Sequence, residues 1–314
     1  MAIDGLLLVD KAAGCTSHDV VQKARRLLRQ KRIGHCGTLD PDATGLLLLP
    51  LGQATRLTRF LIHAPKVYEG VVRFGVATDT YDASGRVTSE RPTEGLDLER
   101  IDAEMARFEG TFEQQLPAYS ARKVGGVKLY ELARRGEEVP VETKEVTVSE
   151  FRRLGDLVDD RLPFRLACSS GTYARSLAHD LGARLGCGAH LAELRRVAIG
   201  PFGIAEALDL DTLASRLETG DDLGPALLPL AGIPLPLVDG RLDAQQERRI
   251  RNGQTALIHG LECDEGDWVR MLGRSGRLIA VGSVTERMGN AGLSVVQPRV
   301  VFSSGPDVVE FSRT

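Results

Sequence analysis

No stretch of this 314-residue chain stays apolar for long. The longest aliphatic runs, such as Leu46–Leu49, fall far short of the roughly 20 residues that a bilayer-crossing helix requires. The opening Met1-Ala2-Ile3-Asp4 has no basic flank before an apolar stretch, the mark of a secretory signal, so a cytoplasmic protein with no membrane partner is expected. Paired cysteines are missing too. Cys15, Cys36, Cys168, Cys187 and Cys263 are odd in number, widely spaced and without a CxxC pair, which excludes a disulfide framework and a zinc ribbon and leaves free thiols. Cys187 and His190 stand at CxxH spacing, but two ligands without a second pair do not make a metal site. An excess of positive charge is absent as well: the formal net charge is -3, which taken alone argues against a nucleic-acid partner, because neutralising phosphates takes clustered Lys and Arg. There is no internal repeat and no low-complexity tail.

What is present is an ordinary globular composition, 42% hydrophobic and 26% charged, on a chain long enough for one large domain and a smaller one. The charge is unevenly spread. Acidic residues gather between Glu94 and Glu104 and between Glu206 and Asp222, whereas Lys23, Arg25, Arg26, Arg29, Lys31 and Arg32 form a run with no acid. Arg122, Lys123, Lys128, Arg134 and Arg135 form a second basic segment, and Arg248, Arg249 and Arg251 a third. Such runs are either solvated helix faces or, taken together, an RNA surface.

Gly5 to Val9 is of strand type, and Thr16 with Asp19 forms a capping box. The box opens a helix with Val20, Val21, Ala24, Leu27 and Leu28 on its apolar positions and its basic residues outward, ending near Gly34. The following segment, Gly34-His35-Cys36-Gly37-Thr38-Leu39-Asp40-Pro41-Asp42-Ala43-Thr44-Gly45, breaks both regular periods and is read as loop, where chemistry tends to sit. Leu46–Leu51 reads as a buried strand. Lys66–Phe74 alternates, with Tyr68, Val72 and Phe74 on one face. Asp79–Gly85 is a turn, Leu98–Phe108 and Thr172–Leu185 are helical, and Lys144–Phe151 and Pro163–Ser169 are strands. Without a strict βαβ rhythm, the fold class is α+β. Ile233-Pro234-Leu235-Pro236-Leu237 reads as an extended connector. Beyond it, Asp267–Leu272, Arg277–Val284 and Leu293–Phe302 make a small β-rich domain. The expected division is residues 1–232, a linker over 233–240, and 241–314.

Asp40 draws attention because Pro41 holds it out of helical conformation and fixes its direction, although an Asp before Pro also suits an Asx-type turn. Gly37-Thr38-Leu39-Asp40-Pro41-Asp42-Ala43-Thr44-Gly45-Leu46-Leu47 closely resembles the signature loop of the TruB family of tRNA pseudouridine synthases. The resemblance extends in order through Lys66-Val67-Tyr68, Thr78-Asp79-Thr80-Tyr81-Asp82-Ala83-Ser84-Gly85 and Pro117-Ala118-Tyr119-Ser120-Ala121-Arg122-Lys123. It continues with Ser170-Gly171-Thr172-Tyr173-Ala174-Arg175 and with Gly186-Cys187-Gly188-Ala189-His190-Leu191, then Leu194-Arg195-Arg196. One departure is Ala12, where the family has a proline that stiffens the turn.

The resemblance implies a pseudouridine synthase catalytic domain with a mixed, mainly antiparallel sheet, followed by a PUA-like RNA-binding domain. It implies conversion of a uridine to pseudouridine in the T-loop of tRNA, at position 55. The base is cut from ribose C1' at N1, turned and rejoined through C5, without an organic cofactor or a metal. By that resemblance Asp40 is the catalytic carboxylate, as nucleophile or as base. Arg175 pairs with it and keeps it charged, and Tyr68 stacks on the base. Leu194 walls the uracil pocket. His35 takes the place of the extruded nucleotide, and Lys123 and Arg122 hold the RNA backbone. Read without the family, Arg175 fits a surface arginine, Tyr68 and Leu194 core residues, and His35 an exposed loop residue. The expected partner is the tRNA T-arm, with no obligate protein partner and a monomer as the default. Two other readings are a tRNA-binding or tRNA-folding chaperone whose main role is not turnover, and a hydrolase with Asp79 and Asp82 as metal ligands. The latter lacks a further ligand at suitable spacing.

Overall fold

Strand β1 (Gly5–Lys11) is aliphatic along almost its whole length and buried on both faces, the signature of a strand at the middle of a covered sheet. In the computed structural model, which describes residues 3–117, 123–124, 127–128, 142–288 and 292–303, β1 lies antiparallel to β2 (Thr44–Leu51), Leu8 opposite Leu48. Between them runs helix α1 (Ser17–Leu27). The expected capping box is there: Thr16 accepts from the Asp19 amide, and the Asp19 side chain accepts from the Thr16 amide. The helix stops earlier than its apolar spacing suggests, capped at Leu28, because Arg29 turns left-handed with φ 49° and breaks the i→i−4 ladder. The basic run is only partly a free face. Arg26, Arg29, Lys31 and Arg32 are exposed, but Lys23 pairs with Asp211 at 2.8 Å and Arg25 donates to the Ile33 carbonyl at 2.8 Å.

The short helix α2 (Thr58–Leu61) leads to β3 (Lys66–Phe74) and to the hairpin of β4 (Val76–Thr78) and β5 (Val87–Glu90). Helix α3 (Leu98–Ala106), β6 (Gly110–Gln115), the two-residue pair β7 (Lys123–Val124) and β8 (Val127–Lys128), β9 (Thr143–Arg153) and β10 (Arg161–Cys168) follow. Helix α4 (Ala174–Leu185) then precedes β11 (Ala189–Ile199), β12 (Phe202–Gly203), α5 (Leu210–Thr219) and β13 (Leu227–Pro229). The main sheet runs β13-β1-β2-β11-β3-β10-β9-β6, with β12 on β11. Its β11–β2 pairing is parallel and its remaining pairings are antiparallel. The mixed, mainly antiparallel sheet of an α+β protein is therefore what forms. Helix α4 begins two residues later than its apolar stripe suggests, at Ala174, with Tyr173 still extended as its N-cap.

The C-terminal strands β14 (Val238–Arg241), β15 (Ala256–His259), β16 (Trp268–Leu272), β17 (Leu278–Met288) and β18 (Leu293–Val301) form a second sheet, ordered β14-β16-β17-β18-β15, with helix α6 (Ala244–Arg251) against it. The two sheets share apolar contacts. Leu272, Leu278, Val281 and Phe302 join Leu6, Leu46, Leu48 and Leu57 in one buried cluster. Phe60 meets Trp268 edge-on at 5.1 Å, and the Arg59 guanidinium lies over the Trp268 ring at 4.5 Å, a cation–π contact. The connector contributes as well: Ile233 is buried in this cluster, with Leu235 and Leu237 against it.

Because Leu48 is fully buried in that shared cluster, Leu48→Ala is expected to cost about 2–5 kcal/mol through lost transfer energy and the cavity left behind. A urea titration followed by Trp268 fluorescence reads this as a lower midpoint.

Candidate active site

The loop from Gly37 to Ala43 hangs between Cys36, whose amide donates to the Leu48 carbonyl at 3.0 Å, and β2. Most of its carbonyls face no strand, and buried side chains take them instead. Lys11, at the end of β1, has no exposed surface, and its ammonium donates to the carbonyls of Ala12 (2.9 Å), Pro41 (2.9 Å) and Ala43 (2.6 Å). These three acceptors use all three of its protons, the condition under which a buried ammonium is tolerable. Burial pulls the Lys11 pKa below the ordinary lysine value, against the opposing pull of Cys15, Asp42 and Asp40.

Arg196 clamps the loop from the other side and is 1% exposed. Its Nε donates to the Leu46 carbonyl at 2.8 Å, one Nη to Gly37 at 3.0 Å and the other to Thr38 at 3.4 Å. The planar fork of a guanidinium suits this; an ammonium could not span the same three acceptors. Close approach of backbone makes it possible. Gly45 lies opposite Arg196 across the parallel pairing with φ 104°, and a Cβ there would run into the Arg196 backbone. Ser17 ties the loop's centre, its Oγ accepting from the Leu39 amide at 2.9 Å, and the Gly14 amide donates to Pro41 at 3.0 Å. With its backbone fixed on both sides, Asp40 points its own side chain outward and is exposed.

Tyr68 lies on β3 directly opposite Arg196 on β11 and Leu166 on β10. It is half-buried against the cluster holding Val72, Phe74 and Leu166, beside Leu194. Leu194 and Arg196 are two apart in regular register on β11, so both share the sheet face with Tyr68. The structure thus brings Tyr68, Leu194 and Arg196 together. Burial raises the Tyr68 pKa; the positive charge of Arg196 opposes that, and the negative charge of Asp40 adds to it. Asp40 therefore acts electrostatically on both Tyr68 and Lys11. Beneath this layer, Lys66 donates to the carbonyls of Ile62 and Ala64, both at 2.6 Å, and burial draws its pKa down to about 8.

Arg175, which the sequence alone allowed as a surface residue, is buried in the first turn of α4. Its Nη1 donates to Asp82 Oδ2 at 3.1 Å, so the carboxylate it pairs with here is Asp82 and not the Asp40 that the resemblance implied. The other Asp82 oxygen accepts from Thr80 Oγ1 (2.7 Å), Ser84 Oγ (2.6 Å) and the Ser84 amide (3.1 Å). Burial pushes the Asp82 carboxyl up, but Ser84, Thr80 and Arg175 outweigh it and hold the group below its ordinary value. Asp79 is likewise committed within the turn, accepting from the Arg86 amide at 2.9 Å. Both carboxylates of the metal-hydrolase reading are thus taken up in shaping the turn and holding Arg175. Cys187 and His190 also face different partners: the thiol lies against the Gly188 carbonyl, and His190 Nδ1 donates to the Val76 carbonyl at 2.7 Å.

His35 is half-buried at the loop's entrance, with Nδ1 buried and without a hydrogen-bond partner among the described residues. Burial, then the charges of Arg196 and His18, lower its pKa, so the ring is neutral at pH 7. Lys123 lies on β7, but its side chain, like all of Arg122, lies outside the described residues. Sequence reasoning assigned no role to Lys11, Ser17 or Arg196. The one available signal was a buried-type strand ending in lysine and another containing two arginines, charge where strands are otherwise apolar.

Tyr68, Leu194 and Arg196 thus share one sheet face, next to a loop whose exposed carboxylate, Asp40, acts on Tyr68 through its charge. The architecture is the pseudouridine synthase fold. The chain superposes with TM-score 0.73 and 24% identity on a chain of an H/ACA RNP bound to a substrate RNA containing 2'-deoxyuridine, covering 98% of this chain and 88% of that one. With a chain of a Cbf5-Nop10-Gar1 complex the TM-score is 0.70 at 26% identity, covering 94% and 85%.

Residues 25–174 match the N-terminal domain of the TruB family pseudouridylate synthases, and residues 175–232 match the tRNA pseudouridylate synthase B C-terminal domain. A tRNA pseudouridine synthase B from Solibacter usitatus is 44% identical over 90% of this chain and 96% of its own length. One from Thermobifida fusca is 40% identical over 96% and 99%. The chain belongs to the TruB family.

Two outcomes follow from this geometry. Arg196→Lys keeps the charge but not the fork, so amide exchange at Leu39 and Ala43 should accelerate by about tenfold, the equivalent of losing roughly one net hydrogen bond; unchanged exchange would show that the loop does not depend on the guanidinium. The His35 ring should titrate below the 6.5 of an unperturbed histidine in an NMR titration. Because the folded-state pKa is the lower one, its contribution to stability is complete above pH 6.5 and is lost as pH falls through the folded value.

Proposed function

We propose that Asp40 is the reacting carboxylate of a tRNA uridine-to-pseudouridine isomerisation, directed at the T-loop uridine at position 55. The chain's family membership supports the reaction. The observation that carries the residue assignment is the Gly37–Ala43 loop, whose backbone is clamped by Lys11 and Arg196 while the Asp40 side chain stays exposed beside Tyr68.

In this reading the target nucleotide swings out of the T-loop, at a cost repaid by stacking and by contacts in the cleft. Uracil stacks on Tyr68 with Leu194 as its apolar wall, and His35 fills the vacated place with a neutral ring that carries no charge into the base stack. The Asp40 carboxylate lies beside ribose C1' and C2', as nucleophile or as base. The bond from C1' to N1 breaks, the base turns, and a bond from C1' to C5 forms. C5 then gives up its proton to a base, with Tyr68 beside it, and N1 takes one up, so substrate and product are isomers. No electron is gained or lost and no water is consumed, so the reaction requires neither a redox cofactor nor a hydrolytic metal.

Arg175, held on α4 by Asp82, serves as the guanidinium that favours the charged form of Asp40 once RNA covers the cleft and removes solvent. Arg122 and Lys123 contact the T-arm backbone. The division proposed is a catalytic domain over 1–232, a linker that ends at 237 rather than 240 because Val238–Arg241 pairs with β16 in the second sheet, and a PUA-like RNA-binding domain from there to 314, acting as a cytoplasmic monomer on tRNA without an obligate protein partner.

A T-arm transcript tritiated at uracil C5 tests the assignment in the presence of EDTA. The wild-type protein should release label. Asp40→Asn, nearly isosteric but unable to act as an anion or nucleophile, should bind the transcript with unchanged affinity and lose release by at least about a thousandfold, in line with removal of a nucleophile or general base. Release at the wild-type rate would overturn the assignment.

A further inference from the structure

Tyr81 is the one residue of the Thr78–Gly85 turn that adopts a left-handed backbone without being glycine, with φ 66°, a region that a side chain bearing a Cβ disfavours. Its ring lies flat on the ring of His179, centroids 3.9 Å apart and planes inclined by 19°. The next residue, Asp82, holds Arg175 at 3.1 Å. Arg175 and His179 are four apart on α4, hence one above the other on a single helix face. Adjacent residues on an extended backbone send their side chains to opposite sides. The left-handed turn at Tyr81 is what lets two neighbours reach the same helix face.

We propose that Tyr81 and His179 are positioning residues for the reaction: their stack fixes the turn against α4 at a second point, so that Asp82 holds Arg175 in the orientation that the reacting carboxylate requires. This rests on the reading of Arg175 given above. Toward α4 the ion pair is one point of contact, and the stack one helical turn away is a second that sets the turn's tilt against the helix. The backbone supports the same placement. The Leu191 amide donates to the Tyr81 carbonyl at 2.9 Å, and the Ala83 amide donates to the Leu191 carbonyl at 3.0 Å, pinning the turn to β11 on both sides of Asp82 while the stack sets its tilt toward α4. Both rings are half-buried, so the contact excludes water on one side only and is open to replacement without a core cavity.

Tyr81→Gly separates this role from a merely structural one, because glycine accepts the left-handed backbone at no steric cost while removing the ring. Its thermal midpoint should stay at or above that of the wild type. Its single-turnover release of C5 tritium should fall by about ten- to a hundredfold, the scale of a small misplacement in a reacting site, with the Kd for the transcript within twofold of wild type. Tyr81→Phe should restore the rate. His179→Leu should reproduce the loss from the helix side, and the double variant should be no slower than either single one, since both remove the same contact.

Arg175→Met is run alongside. If it lacks activity while Tyr81→Gly and His179→Leu keep the wild-type rate, the positioning role alone is refuted. If Arg175→Met itself keeps the wild-type rate, the reading of Arg175 falls and takes this proposal with it. A changed Kd with an unchanged rate would make the ring pair an RNA contact and would likewise overturn the proposal.

Discussion

Two buried cations donating to backbone carbonyls are what the rest of the site depends on. Lys11 and Arg196 hold the carbonyls of Gly37, Thr38, Pro41, Ala43 and Leu46, and between them they convert a glycine- and proline-containing loop into a fixed support. A loop of this composition would otherwise be free to move, because its backbone groups lack strand partners and water would satisfy them equally well. Uncompensated charge at either position would be costly, since each is almost wholly removed from solvent. The loop carbonyls are therefore as necessary to the cations as the cations are to the loop, and neither could be changed alone.

The fold places these groups. Strand β11 carries Arg196 and Leu194, pairs antiparallel with β3 and Tyr68, and pairs in parallel with β2 where the Asp40 loop ends. A single central strand thus connects the aromatic, the apolar wall and the loop anchor. Helix α4 packs against the sheet through Leu177, Ala178 and Leu181 and carries Arg175 and His179 toward the turn between β4 and β5. Asp40 and Arg175 consequently come from different elements, each with its own support: Lys11 and Arg196 for the loop, Asp82 for the arginine.

Much of this was legible in the chain. The Thr16–Asp19 box marked the start of α1, the alternation of Tyr68, Val72 and Phe74 gave the inward face of β3, and the spacing of glycines and proline around Asp40 marked the loop. The end of α1 was missed because nothing in its composition announces the left-handed turn at Arg29. The roles of Lys11 and Arg196 were not legible from periodicity because their partners are distant in sequence: the carbonyl of Gly37 that Arg196 holds is 159 residues away, and a backbone carbonyl carries no residue identity to read. The family resemblance singled out candidate reacting residues but not what holds them. Arg175 illustrates the gap, since its helical position fitted a surface residue, whereas the turn folding back with Asp82 covers it.

The central claim is that a fixed loop delivers one carboxylate to the anomeric carbon of an extruded nucleotide. A crystal structure with a short T-arm hairpin tests it most directly. The account predicts the Asp40 carboxylate in reacting contact with C1' or C2' of a flipped uridine, about 3–3.5 Å away, with the loop held by Lys11 and Arg196 as in the free protein. A captured nucleotide lying elsewhere, with Asp40 still facing solvent, would contradict it.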